Sequence, residues 1–419
     1  MTKLFLNSKN ISRDSFLWNT ISSTLLSGMS ALLLIVVVRF LNDLDAAIFS
    51  LGFSIAQMML TIGYFDMRAY QATDVKHTHP FKRYFTSRII TCIVMLIVSV
   101  LYVQLKHYDF YKSFIIIMLC IFKMMDALED VIHGLFQVNG RLDVAGKLQT
   151  FRAIVCMILF SLSIAITKNL LFSISLIIIV SIIIISVFNL PLISKFDTIS
   201  FDTDLKSVLR LLLTCLPLFI GSYLSLYIGN SPKYAIDTFL EPVNQTYFNI
   251  LFMPTYVVNL FCGFALRPLL TTLAKQYNDG YFKAYIKTIF KLVLLIIGLT
   301  IVIEIGAFLL GIPVLSIIYN LDLSPYKMEL LILIFAGAIS ALGTLIYYAL
   351  TIMRNQKLLL ISYVITGISA YFVSPALVEK WHLFGASMAN VVLYGLRTTI
   401  FIVIFIICFK QNTKLKKWK

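Results

Sequence analysis

Charged side chains make up only 13% of the 419 residues, about half the share found in a soluble globular domain. With 59% hydrophobic residues and a mean hydropathy of +0.90, that scarcity excludes an ordinary soluble enzyme. It also excludes disorder, which needs high charge and low hydrophobicity, and the 18 glycines are far too few for collagen. Cysteine is sparse and unpatterned. Cys92, Cys120, Cys156, Cys215, Cys262 and Cys408 sit singly in apolar runs with no CxxC pair, which excludes a disulfide framework or a zinc site and reads as small buried hydrophobes. No P-loop, dinucleotide fingerprint or catalytic-triad spacing occurs, and His77 and His79 lie in a basic loop with no acidic motif, so no metal or cofactor is expected. What is left is a polytopic membrane protein.

A helix needs roughly 20 apolar residues to cross about 30 Å of hydrocarbon. That ruler finds twelve spans, at about 17–38, 46–65, 89–105, 113–136, 152–167, 170–192, 209–229, 242–266, 288–311, 328–351, 358–378 and 385–408. The first is too long for a cleaved signal peptide and lacks a small-residue cleavage pattern. Trp18 and Trp381 fall where interface anchors belong. The connections are short on both sides, which leaves no room for a folded catalytic domain. The expected fold is therefore all-α: an integral membrane protein of twelve transmembrane helices.

The net charge is +15. On a soluble domain this would suggest nucleic acid, but in a membrane protein it reflects cytoplasmic loops, which collect Lys and Arg. Twelve spans put both termini on one side. Of the 35 lysines and arginines, 26 fall on that side, 7 on the other, and Lys123 and Arg397 within spans. Both termini are thus expected in the cytoplasm, and the protein in the cytoplasmic (inner) membrane.

Two six-span halves would share one topology, and weak internal matches support a duplication. Phe40-Leu41 aligns with Phe239-Leu240, Lys82 and Tyr84 with Lys283 and Tyr285, and Tyr111-Lys112 with Tyr326-Lys327, at offsets that grow along the chain. Chance matching in a chain rich in Phe, Ile and Leu is the alternative. A true repeat would be parallel, giving two six-helix bundles, 1–198 and 199–419, joined by the polar stretch 193–206. That architecture suits alternating access around a site near the midplane.

Charge inside the spans is the strongest functional signal. Lys123, Asp126, Asp130 and His133 recur three and four residues apart, so they share one helical face, with Glu129 beside them. A span ending before Asp126 would keep only Ser113–Met125, about 20 Å of helix, so Lys123 and Asp126 belong at membrane depth and should face protein or water. The stripe reads either as the polar wall of a substrate cavity or as a self-neutralised Lys123–Asp126 pair with the remaining groups near the headgroups. Arg397 lies roughly 18 Å from either end of the last span, too deep to snorkel easily. Its permanent charge and forked donors suit phosphate; a structural pair with Glu304 is the alternative. Glu304 could equally serve as a proton or cation site, as could Glu129 and His133. Pro217 and Pro254 could be gating bends, although proline is common in membrane helices.

Several stretches together resemble the Wzx-type polysaccharide flippases of the multidrug/oligosaccharidyl-lipid/polysaccharide exporter superfamily. They are Arg68–Val75 with Tyr84 and Arg88; Asp126–Val131 with Gly134–Gln137 and Gly140–Asp143; Asn230–Asp237 leading to Arg267-Pro268; and Gly311-Ile312-Pro313 with Ile318-Tyr319. The resemblance spans most of the chain. It implies two six-helix bundles facing a central cavity. It also implies a substrate of undecaprenyl-pyrophosphate-linked oligosaccharide, flipped for assembly of capsule, O-antigen (lipopolysaccharide) or a teichoic-acid-like polymer, with membrane lipids and polysaccharide polymerase machinery as partners and no nucleic acid. Lys123 and Arg397 would then meet the pyrophosphate, with Asp126 and Asp130 in the same cavity. The acids depart from a purely cationic cavity and leave room for ion coupling. The rivals are a drug or metabolite exporter of the same fold and a membrane polysaccharide polymerase.

Overall fold

In hydrocarbon every backbone amide needs an internal partner, and the helix provides one locally. The computed structural model describes residues 5–8, 10–73, 79–266, 273, 276, 277, 279–353 and 356–416, and among these there is no strand. Asp74, Val75, His77, Arg267 and Pro268, and the side chain of Cys262, lie outside the described residues.

The helices are α1 (Ile11–Phe40), α2 (Asp43–Tyr64), α3 (Met67–Thr73), α4 (Phe81–Leu105), α5 (Phe110–Val138) and α6 (Leu142–Thr167), then α7 (Leu170–Ile193), α8 (Leu205–Phe239), α9 (Pro242–Leu266), α10 (Phe282–Tyr319), α11 (Lys327–Ile352) and α12 (Gln356–Lys416). Each of the twelve expected spans falls on one of them. The last two are the arms of α12, which breaks at Trp381 and His382, the latter at φ 51°. Nine helical stretches among the described residues are long and apolar enough to cross a bilayer. Four charges, Lys123, Asp126, Glu129 and Asp130, set α5 apart from them.

Helix starts follow from side chains that can take an orphan amide. Asn10 caps α1 through the amide of Arg13, Asn42 caps α2 through Asp45, Asp109 caps α5 through Lys112, and Asn169 caps α7 through Phe172. Several helices begin well before their apolar span. α4 starts eight residues ahead of the expected 89 and α6 ten ahead of 152. Those extra turns carry Arg88 and bring Arg152 to the body of its helix.

α8 and α9 run without interruption through Pro217 and Pro254. The helical register changes elsewhere, at π turns Ile185–Asn189 in α7 and Ala307–Gly311 in α10. Each lies two residues before a proline, Pro191 or Pro313. Proline donates no amide and its ring crowds the carbonyl four residues back; a widened turn absorbs both defects.

The chain divides into two compact units, Met1–Tyr223 and Leu224–Lys419. The division falls within α8, beyond the polar link at 193–206. In the first unit α2 is central and buried almost all round. Its small residues let neighbours approach: a Cβ on Gly52 would stand 2.9 Å from Leu119 Cδ1 of α5. α1 packs along α6, and α2 along α5 and α4; in the second unit α11 packs along α12 and α9.

Candidate functional site

The stripe on α5 is buried in the first unit. Lys123 is 3% exposed, and Asp126, Glu129 and His133 are as closed. Its nearest partner is internal: Lys123 Nζ donates to Asp126 Oδ2 at 3.0 Å, and the ammonium lies 4.7 Å from the Phe53 ring centre. The Lys123–Asp126 pair, one of the two readings of the stripe, is therefore present. Glu129 and His133 are buried in the bundle, and the Asp130 side chain is 16% exposed.

Three arginines from neighbouring helices answer the acids. Arg152 of α6 bridges two of them, Nη2 to Asp126 Oδ1 at 2.5 Å and Nε to Glu129 Oε2 at 2.8 Å. Arg88 of α4, with no exposed surface, reaches Asp130 Oδ2 at 2.8 Å and also donates to the Gly63 carbonyl. Arg68 of α3 takes the other oxygen, Asp130 Oδ1, at 2.7 Å. The π turn of α7 adds Asn189, whose Nδ2 donates to Glu129 Oε1 at 3.0 Å. His133 Nε2 stands 3.6 Å from that same oxygen. Four cations thus face three carboxylates in two clusters, Asp126 and Glu129 with Lys123, Arg152 and Asn189, and Asp130 with Arg68 and Arg88, drawn from α3, α4, α5, α6 and α7.

Hydropathy assigns Arg68, Arg88 and Arg152 to the loops. The structure corrects this for Arg88 and Arg152, which are buried between helices. Their positions near the ends of apolar runs hide them, because hydropathy averaged over a window does not register one inward-facing charge. Lys233, assigned from sequence to the outer face, is also buried, with its ammonium 4.9 Å from the Phe252 ring centre.

Arg397 of the second unit has a different environment. It is 6% exposed. Nη2 donates to Ser340 Oγ of α11 at 3.1 Å, and the guanidinium lies 5.1 Å from the Tyr394 ring centre. Gly343 of α11 leaves the space: a Cβ there would come within 3.4 Å of Nη2 and 2.7 Å of Thr398 Oγ1. Arg397 Nε has no acceptor, and Asn390 Oδ1 and Ser362 Oγ are likewise buried without a partner. Among the described residues Arg397 has no carboxylate partner. Glu304, half-buried on α10, makes no ion pair with it.

No protein-family model and no curated protein matches the sequence. Solved structures do. An inward-facing multidrug resistance MATE family transporter of the MOP superfamily aligns over 93% of this chain and 96% of its own at 12% identity, with a TM-score of 0.69. The lipid II flippase MurJ in an inward closed conformation aligns over 94% and 86% at 11% identity, with a TM-score of 0.66. A point mutant of the Vibrio cholerae MATE transporter VcmN aligns over 94% and 97% at 12% identity, with a TM-score of 0.58. The chain therefore has the all-helical membrane fold shared by MATE transporters and the MurJ flippase.

Proposed function

We propose that the protein is a flippase that moves undecaprenyl-pyrophosphate-linked oligosaccharide repeat units across the cytoplasmic membrane by alternating access, for surface polysaccharide assembly. Buried Arg397, with no countercharge among the described residues, carries the reading. An ionised group held out of water is costly unless paired, and an anion arriving as substrate would complete it. A guanidinium presents forked donors that match phosphate oxygens. The oligosaccharide cannot cross unaided, since each hydroxyl stripped of water costs roughly 2–7 kcal/mol in hydrocarbon, depending on reference state.

The fold likeness to MurJ supports the reading, and the likeness to MATE transporters supports a drug or metabolite exporter equally well. Charge separates the two. An exporter of organic cations would use open carboxylates, whereas Asp126, Glu129 and Asp130 are each engaged by arginine. In the proposal Arg397 makes the principal diphosphate contact. Lys123 would reach an anion only after leaving Asp126, and Asp126 and Asp130 hold the cations around it. Glu304 is the remaining candidate for ion coupling. In this reading both termini lie in the cytoplasm.

The test is complementation of a strain lacking the gene. Arg397→Gln, made at the wild-type protein level, should abolish surface-polymer assembly, build up lipid-linked oligosaccharide on the inner leaflet and leave drug tolerance unchanged. Normal polymer with altered drug tolerance would favour the exporter.

A further inference from the structure

A second binding feature lies in the first unit, remote in sequence from Arg397 and independent of the flippase reading. A groove of about 680 Å³ runs between the start of α1, the start of α6 and the π turn of α7. Its floor is three mutually packed rings: Phe5 to Phe151 at 6.0 Å, Phe5 to Phe188 at 5.7 Å and Phe151 to Phe188 at 5.5 Å between centres. Polar contacts hold this floor in place. Arg141 Nη2 donates to the Leu6 carbonyl at 2.7 Å and Lys147 Nζ to the Asn7 carbonyl at 2.9 Å, which pin the N-terminal segment carrying Phe5. The π turn supplies Phe188. Close approach of α1 depends on Gly146, where a Cβ would meet the Trp18 carbonyl carbon at 2.7 Å.

The groove is amphipathic. Trp18 and Ile154 extend the apolar lining, while Asp14 and Lys147 bring opposite charges to it. Lys147 also stands 3.5 Å from Asp143, but Arg141 shares that carboxylate at 2.9 Å, so the two cations keep one positive charge in excess. Thr150 also lines it, and its hydroxyl, on a residue only 3% exposed, has no partner. Phe151 and Ile154 are exposed side chains, so the groove opens away from the bundle interior. Its level is set three times over by hydropathy. Apolar spans begin near 17 in α1 and near 152 in α6, and end near 192 in α7. The charged residues therefore belong at the headgroups and the phenyl floor at the upper acyl chains.

From these observations we infer that the groove binds one membrane phospholipid of the phosphatidylethanolamine class. One acyl chain lies on the Phe5–Phe151–Phe188 floor. Lys147 meets the phosphate, and Asp14, which already accepts from Ser8 Oγ at 2.7 Å, accepts the primary ammonium. A quaternary choline carries the charge but has no N–H to give Asp14, and a glycerol headgroup has no positive charge, so neither completes the charge-assisted hydrogen bond to Asp14.

The experiment is native mass spectrometry of the full chain, delipidated in mild detergent and offered equal amounts of phosphatidylethanolamine, phosphatidylcholine and phosphatidylglycerol. One phosphatidylethanolamine per chain should be retained, at least tenfold over either competitor. Ile154→Trp, which fills the groove from an exposed position, should lose it. Asp14→Asn should keep a lipid but lose the headgroup preference. Retention unchanged in Ile154→Trp, equal binding of all three headgroups, a preference for phosphatidylglycerol, or displacement by an equal amount of undecaprenyl phosphate would each overturn the inference.

Discussion

Asp126 and Glu129 share one guanidinium, and that sharing decides what each substitution in the first unit should do. Removing Arg152 leaves two buried carboxylates short of a countercharge, and breaking a buried pair in this way costs about 3–5 kcal/mol. Arg152→Ala should therefore lower thermal stability steeply in detergent, whereas an unchanged midpoint would mean the network carries little. Asp66 offers a pH test. It sits between α2 and α3 at φ 48° and accepts from Ser222 Oγ. Burial pushes its carboxyl above the usual range; Ser222 and Arg88 oppose this and Asp130 reinforces it. A raised folded-state value means the folded protein holds that proton more tightly than the unfolded chain. The contribution is then fully present below about pH 4 and is lost as pH rises through the folded value. Asp66→Asn cannot ionise and tolerates the left-handed backbone. Its unfolding midpoint should depend less on pH above about 4 than that of the wild type. At this scale the acids are legible in the sequence, because period and depth single them out. Their partners are not, because which arginine turns inward is settled by packing between distant helices.

The helices themselves are legible from hydropathy, since a bilayer demands about 20 apolar residues whatever the packing. Their ends and irregularities are less so. Helices such as α4 and α6 run past the hydrocarbon because nothing ends them until Pro80 and Arg141, and that overrun carries the buried arginines. Both π turns sit just ahead of a proline, yet Pro217 and Pro254 leave their helices unbroken, so proline alone does not mark them. In α7 the wide turn is what presents Asn189 to Glu129. Pro191→Ala restores an amide and lets the α register return, rotating Asn189 away by about 100°. A lost hydrogen bond to a carboxylate is worth about 1.5–3 kcal/mol. Pro191→Ala and Asn189→Ala should each be destabilised by about that amount, and the double variant no more than either single one. Full additivity in thermal or denaturant unfolding would separate the turn from the contact. On the α1–α6 seam, Gly146→Val would press on Trp18 backbone that cannot yield, and overpacking of this kind costs about 1–3 kcal/mol. The same unfolding measurement reads it.

For the whole molecule, hydropathy puts a junction in the polar link at 193–206, whereas the compact units divide inside α8. The reason is packing. Phe219 stacks on Phe65 at 4.4 Å and Ser222 bonds Asp66, so the first half of α8 belongs with the first unit. A polar stretch marks where a chain crosses a loop, not where a helix changes company. The two units also differ in electrostatics: in the first every cation of the network is paired with a carboxylate, and the second holds Arg397 without a carboxylate partner among the described residues. On that asymmetry rests the proposal of a flippase for an anionic lipid-linked substrate. The most direct test is leaflet exchange of a labelled pyrophosphate-linked oligosaccharide in vesicles carrying the purified protein. Wild-type protein should move it, and Arg397→Gln should slow it at least tenfold, about 1.4 kcal/mol of lost stabilisation, while remaining folded. Equal rates for the two proteins would contradict the account.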